Sequence, residues 1–203
     1  MNPHQTDDYT NLYFFWPEIN SKKRALFFGR KFDLLFRKFT HSLTCFMKVT
    51  LLMVGKTEAS YIKSGVEIYC KRISHYIPFR ELVIPDLKNT KNITEEQQKQ
   101  KEGELILEQI QVGDELIVLD ENGMKFSSVE FARFIEKKMV AGSRNLIFVI
   151  GGPYGFSKNV YDKAQARISL SPMTFSHQMV RLIFAEQLYR AMTIMKGEPY
   201  HHQ

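Results

Sequence analysis

The stretch Asn-Leu-Ile-Phe-Val-Ile-Gly-Gly-Pro-Tyr-Gly-Phe, from Asn145 to Phe156, is where this sequence is best equipped for chemistry. Leu146 to Ile150 reads as a strand buried on both faces, and Gly151, Gly152 and Gly155 end it with backbone that a ligand can approach closely. Any strand-to-helix turn in an α/β domain can use glycines, so this stretch alone leaves an ordinary turn open beside a binding site. Two other strand ends, Leu119-Asp120 and Ser171-Pro172, bear on the choice. Ligands of a parallel sheet bind beyond the carboxyl ends of its strands, and the convergence of these three ends is the candidate site. Standard phosphate loops do not fit it. Gly151-Gly-Pro-Tyr-Gly lacks the Gly-x-Gly-x-x-Gly spacing, and Gly155-Phe-Ser-Lys158 lacks Gly-Lys-Ser/Thr. There is no Gly-x-Ser-x-Gly elbow and no His pair at zinc-ligand spacing on a helix, so no metal site is expected. Adjacent His201 and His202 read as solvated terminal histidines.

Strands and helices must alternate to position those ends, and from Met47 onward they do. Val49 to Val54 reads as a strand ending at Gly55, and Ala59, Ile62, Val66, Tyr69, Ile73 and Ile77 recur at helical spacing. Glu81 to Ile84 is a second strand stopped by Pro85, followed by a polar loop over 86–92. Thr94 and Gln97 form a capping box for a helix through Ile110, whose first half is polar and reads as surface. Leu116 to Leu119 is a third strand, with a turn at Glu121-Asn122-Gly123. Ser127 and Glu130 cap a helix through Met139 that Gly142 ends. Beyond the glycines, Ser157 is a cap for a short helix through Ala166, and Ile168 to Ser171 is a fifth strand. A long helix from about Ser176 to Lys196 follows, with Val180, Ile183, Phe184, Leu188, Ala191, Met192 and Met195 on its apolar side. The expected fold class is α/β, a largely parallel sheet with helices on both faces.

The 203 residues are enough for one packed domain and an appendage, and 44% hydrophobic with 25% charged is ordinary globular composition. The 28 Lys+Arg against 22 Asp+Glu leave a net charge of +6, which suits an anionic partner without identifying one. Cys45 and Cys70 are too few for a disulfide framework and fit a reducing compartment. Residues 1–46 differ in character: Phe14, Phe15 and Trp16 run into Pro17, and Lys22 to Arg24 and Arg30-Lys31 interrupt every apolar run. They read as an N-terminal extension upstream of a true start at Met47, with the domain over 47–203. Neither a signal peptide nor a membrane span is expected.

Several ordered motifs together resemble a known family. Met47-Lys-Val-Thr-Leu-Leu-Met-Val-Gly-Lys, Ile150-Gly-Gly-Pro-Tyr-Gly, Ser169-Leu-Ser-Pro-Met-Thr-Phe-Ser-His-Gln, Glu186-Gln-Leu-Tyr-Arg-Ala and Gly197-Glu-Pro-Tyr-His-His are similar to the RlmH family. These are bacterial SPOUT-class methyltransferases of large-subunit ribosomal RNA. The resemblance spans 47–203 and implies a C-terminal trefoil knot, which periodicity does not reveal. It further implies a cytoplasmic homodimer that holds S-adenosylmethionine in the knot. The implied acceptor is N3 of a pseudouridine in 23S rRNA helix 69, at the subunit interface of the assembled ribosome. By position, cofactor binding falls on Leu119, Gly151, Gly152, Ser171, Pro172, Met173, Thr174, Phe175 and Ser176. Met173 and Phe175 either wall the adenine or belong to the core. Catalysis falls on Tyr200 and His201, which would contact the base or take its N3 proton, and on Arg181, which with Arg190 would hold phosphate or offset the developing anion. Helix-surface pairing with residues such as Glu186 is the plainer reading of either arginine. The chain departs from the family's tail, where a basic residue commonly follows, in having His202 and Gln203. A SPOUT methyltransferase of tRNA or another rRNA site, and a non-catalytic ribosome-binding protein, are the alternatives. Residues 47–203 hold only 21 basic against 18 acidic residues, a balance suited to a preformed ribosomal surface more than to naked RNA.

Overall fold

The computed structural model describes residues 47–87 and 93–201. The proposed extension over 1–46 lies outside the described residues, as do most of the polar loop after Pro85 and the terminal His202 and Gln203. The order of elements is β1 (Lys48–Val54), α1 (Ser60–Ile73), β2 (Phe79–Ile84), α2 (Glu95–Glu108), β3 (Asp114–Lys125), α3 (Ser128–Val140), β4 (Asn145–Ile150), α4 (Lys158–Lys163), β5 (Ala166–Ser169) and α5 (His177–Lys196). The five strands form one sheet in the order β2-β1-β4-β3-β5, and every neighbouring pair is parallel. Strand β4 is central and buried along its whole length, which is why its sequence is an unbroken apolar run rather than an alternating one.

Side chains alternate across the sheet and feed two cores. Val49, Leu51, Met53, Leu146, Phe148 and Ile150 point to the side covered by α1, α3 and α5, where they meet Ile73, Phe131, Ile135, Phe184 and Leu188. The Phe148 and Phe184 rings lie 4.7 Å apart. Leu52, Val54, Leu116, Val118, Ile147 and Val149 point to the other side, against Ile106, Phe156 and Val160. Helices therefore cover both faces. At the amino ends a polar ladder fixes register. Arg80 Nε donates to Thr50 Oγ1, Thr50 Oγ1 to Asn145 Oδ1, and Asn145 Nδ2 to Asp114 Oδ1, one residue from each of four strands.

Both expected capping boxes form: Gln97 N–H donates to Thr94 Oγ1 and Thr94 N–H to Gln97 Oε1, and Ser127 and Glu130 repeat the pattern. Gly197, at φ 68°, ends α5 in the left-handed conformation. Four local expectations need correction. Ser157 makes no side-chain cap to α4, which stops at Lys163 rather than Ala166, and β5 begins two residues earlier than its apolar core suggests. The turn at Glu121-Asn122-Gly123 does not end β3. Leu119 and Met124 both pair with Ile168, so the residues between them detour out of the ladder and the strand then resumes. A Cβ on Gly123 would lie 2.6 Å from the Ile168 backbone, so only glycine lets the returning chain press this close.

Candidate functional site

Beyond the carboxyl ends of β3, β4 and β5 lies a cleft of about 670 Å³. The β3 detour supplies Leu119, Asp120, Glu121 and Asn122. The glycine turn supplies Ile150 through Phe156, and the segment between β5 and α5 supplies Leu170, Ser171, Met173, Thr174, Phe175 and Ser176. Glu95, Tyr161, His177 and Val180 complete the wall. Each segment is held by its own bonds. Gly155 N–H donates to Gly152 O at 3.2 Å, which closes the glycine turn. Ser169 Oγ donates to Ser171 O and Met173 N–H donates to Ser171 Oγ, both at 2.9 Å. Thr174 Oγ1 reaches across to Glu121 Oε2 at 3.2 Å. Ser176 Oγ accepts from Met179 N–H and so caps α5.

Of the residues assigned to cofactor binding, Leu119, Gly151, Gly152, Ser171, Met173, Thr174, Phe175 and Ser176 line this cleft, and Pro172 does not. Phe175 is half-buried on the wall, while Met173 is 73% exposed, so Met173 does not belong to the core. Gly152 has a second constraint: a Cβ there would lie 2.4 Å from Glu102 Oε2.

The residues assigned to catalysis stand elsewhere. Arg181 is fully buried. Its Nη1 donates to Thr57 Oγ1 and its Nη2 to Val54 O, both at 2.8 Å. Burial pushes its pKa down, against the opposing pull of Asp86 and Glu81. A guanidinium so enclosed is an internal brace, which corrects the reading of Arg181 as a phosphate or anion holder. Arg190 pairs with Glu186, Nε to Oε1 at 3.0 Å, in keeping with the plainer reading. Tyr200 is packed against the outer ends of α1 and α5: its ring lies 4.8 Å from that of Tyr189 and carries the Arg190 guanidinium at 4.8 Å. Its hydroxyl donates to Glu186 Oε1 at 3.3 Å and lies 3.4 Å from the Tyr69 hydroxyl. Burial, chiefly, raises its pKa, with Tyr69 and Glu186 adding to the rise. His201 Nδ1 is 3.4 Å from Arg190 Nη1. Neither Tyr200 nor His201 lines the cleft of its own chain.

A family profile described as "Predicted SPOUT methyltransferase" matches residues 47–201. The chain belongs to the SPOUT methyltransferase family. Proteins named "Ribosomal RNA large subunit methyltransferase H" from Parabacteroides distasonis, Bacteroides fragilis and Flavobacterium johnsoniae are each 57% identical to it over 157 residues. That alignment is 77% of this chain and 100% of each relative. SPOUT methyltransferases use S-adenosylmethionine, and the cleft residues fit that donor. Glu95, Asp120 and Glu121 line the wall with no Lys or Arg among them, which suits a cationic sulfonium and disfavours a polyphosphate. Glycine backbone and the Phe175 ring offer close, uncharged contact for a purine.

Several acidic and phenolic residues at this SPOUT site belong to no motif that singles them out in the sequence. Asp120 was noted only as a strand end. Here it accepts a short hydrogen bond from the Tyr161 hydroxyl, and burial followed by that bond pushes Tyr161 up to about 12. Glu121 has only ordinary turn chemistry in the sequence. Glu102 sits in the stretch of α2 read as surface, yet it is 3% exposed. The sequence offers only an indirect signal, a glycine inside a helix, which marks a close approach without naming the residue it buries; in the structure a Cβ on Gly103 would lie 2.2 Å from Ser157 Oγ.

Proposed function

We propose that this chain transfers the methyl group of S-adenosylmethionine to N3 of the helix 69 pseudouridine of 23S rRNA in assembled ribosomes, working in the cytoplasm as a trefoil-knotted homodimer. The observation that carries the reading is the cleft itself. Three strand-end segments bring eight of nine motif-assigned residues to one wall, in a SPOUT chain whose relatives carry the name of a large-subunit rRNA methyltransferase. Bound donor supplies an electrophilic methyl group on a sulfonium. Leu119, Gly151, Gly152, Ser171 and the run from Met173 to Ser176 hold and orient it, and alignment of acceptor nitrogen behind the methyl group provides much of the rate.

The acceptor N3 is protonated at neutral pH and must lose its proton as the bond forms. His201 receives that proton, and Tyr200, whose phenol is kept protonated by burial and by Tyr69 and Glu186, contacts the base. Because the tail is docked on α1 and α5, away from its own cleft, the dimer reading places it at the partner's cleft. The cleft and the tail are then complementary: one chain contributes the donor cleft, the other the tail.

Transfer of labelled methyl groups from S-adenosylmethionine to unmodified assembled ribosomes, isolated subunits and tRNA tests the reading. Label confined to the helix 69 pseudouridine of assembled ribosomes is the expected result. Label in tRNA would replace the substrate and keep the chemistry. Absence of label from all three would leave a binding protein in a methyltransferase's fold.

A further inference from the structure

The cleft is anionic on its surface, through Glu95, Asp120 and Glu121, and a further carboxyl stands behind it. Glu102 Oε1 accepts from Gln98 Nε2 at 2.8 Å, whereas Oε2 is buried with no hydrogen-bond partner. That oxygen is directed at Gly152, since a Cβ built there would lie 2.4 Å from it. Gly152 is also a wall residue of the cleft. One glycine thus separates a buried carboxyl from whatever occupies the cleft. Leaving a carboxylate oxygen buried and unpartnered opposes folding, so the arrangement calls for a role other than stability.

We propose that Glu102 is a specificity-determining residue whose buried carboxylate, seated behind Gly152, makes the cleft favour the sulfonium donor over the neutral thioether product. The proposal rests on the methyltransferase reading. Methyl transfer breaks the carbon–sulfur bond, leaves the electron pair on sulfur and so removes one positive charge from the ligand. S-adenosylmethionine and S-adenosylhomocysteine differ by that methyl group and charge. A buried anion is poorly screened by water and salt, so it acts on the difference. A residue that merely shaped the turn would affect both ligands alike.

Burial pushes the Glu102 carboxyl above the ordinary range; the Gln98 bond offsets this in part, and Asp86, in the loop after β2, adds to the rise. Preference for the donor therefore increases as pH rises and Glu102 ionises. Glu95, Asp120, Glu121, Tyr154, Tyr161 and His177 also face the cleft, and comparison of wild type with Glu102→Gln at each pH subtracts their contribution.

The test is calorimetric titration of the full chain with each ligand, for wild type, Glu102→Gln and Glu102→Asp. Glu102→Gln is expected to weaken S-adenosylmethionine about tenfold, or about 1.4 kcal/mol, and to leave S-adenosylhomocysteine unchanged. Glu102→Asp keeps the charge and is expected to keep the preference. Equal weakening of both ligands, or no change in either, overturns the proposal. Should Glu102→Gln not fold, wild type is compared with Gln98→Met, which removes the bond that holds the Glu102 carboxyl down: a preference whose growth is displaced to higher pH supports the role, and an unmoved profile overturns it. A wild-type chain that binds neither ligand would refute the donor reading itself, a result distinct from the others.

Discussion

Gly152 is caught between two demands. Its backbone lines the cleft, and the Glu102 carboxyl occupies the space that any side chain would need. Gly152→Ala is therefore expected to destabilise the protein by about 1–3 kcal/mol, as overpacking does, and an unchanged urea midpoint would show that Glu102 swings aside freely. Glu102 gives a second prediction, and the sign follows from the raised carboxyl. A group whose proton is held more tightly in the folded state stabilises below its unfolded pKa and loses that contribution as pH rises through the folded value. Glu102→Gln should thus be more stable than wild type at alkaline pH, with the gap closing toward acid. Urea unfolding at several pH values checks this, and a gap that widens toward acid would reverse the assignment. Gly152 was legible as a site residue because glycines after a buried strand imply a backbone exposed to a ligand. Glu102 was not, because its burial depends on how closely Gly103 lets α2 approach Ser157, a distance that no local window contains.

At the scale of elements, α5 does two jobs. Phe184, Leu188 and Met192 close one core, while its first turns brace the loop after β1: Arg181 holds Thr57 and Val54, and Gln178 Oε1 accepts from the Glu58 and Ala59 N–H groups. Arg181→Ala is expected to cost roughly 2–5 kcal/mol, through a cavity and lost charged hydrogen bonds, in a urea titration. Unchanged stability with weakened ribosome binding would restore Arg181 as a phosphate contact. Ser127→Ala should cost about 1 kcal/mol through loss of the α3 cap, and no change in its midpoint would show that Glu130 recaps the helix alone. Period and capping chemistry are local, which is why all five strands, the Thr94 and Ser127 boxes and the Gly197 stop could be read from sequence. The resumption of β3 at Met124 could not. It is decided by pairing with Ile168 on β5, more than forty positions away, while the intervening Glu121-Asn122-Gly123 has ordinary turn chemistry. The detour still falls where the sequence put a strand end, so Leu119 reached the cleft as expected.

For the whole molecule, the separation of tail and cleft within one chain is the feature that asks for a partner. None of the helices among the described residues is long and apolar enough to cross a membrane. A chain ending at Pro199 is expected to bind S-adenosylmethionine as before and to lose at least about a hundredfold in methyl transfer to ribosomes, the usual scale of a missing acid–base group. Undiminished transfer would remove Tyr200 and His201 from the chemistry. The placement of the donor among Leu119, the glycine turn, Ser171 and the run from Met173 to Ser176 is tested most directly from the rim. Thr174 is exposed and lines the cleft, so Thr174→Trp can fill the cleft without entering either core. Calorimetric titration with S-adenosylmethionine should show binding by the wild-type chain and its loss in Thr174→Trp, with the thermal unfolding transition retained. Undiminished affinity in a folded Thr174→Trp would place the donor somewhere other than this cleft.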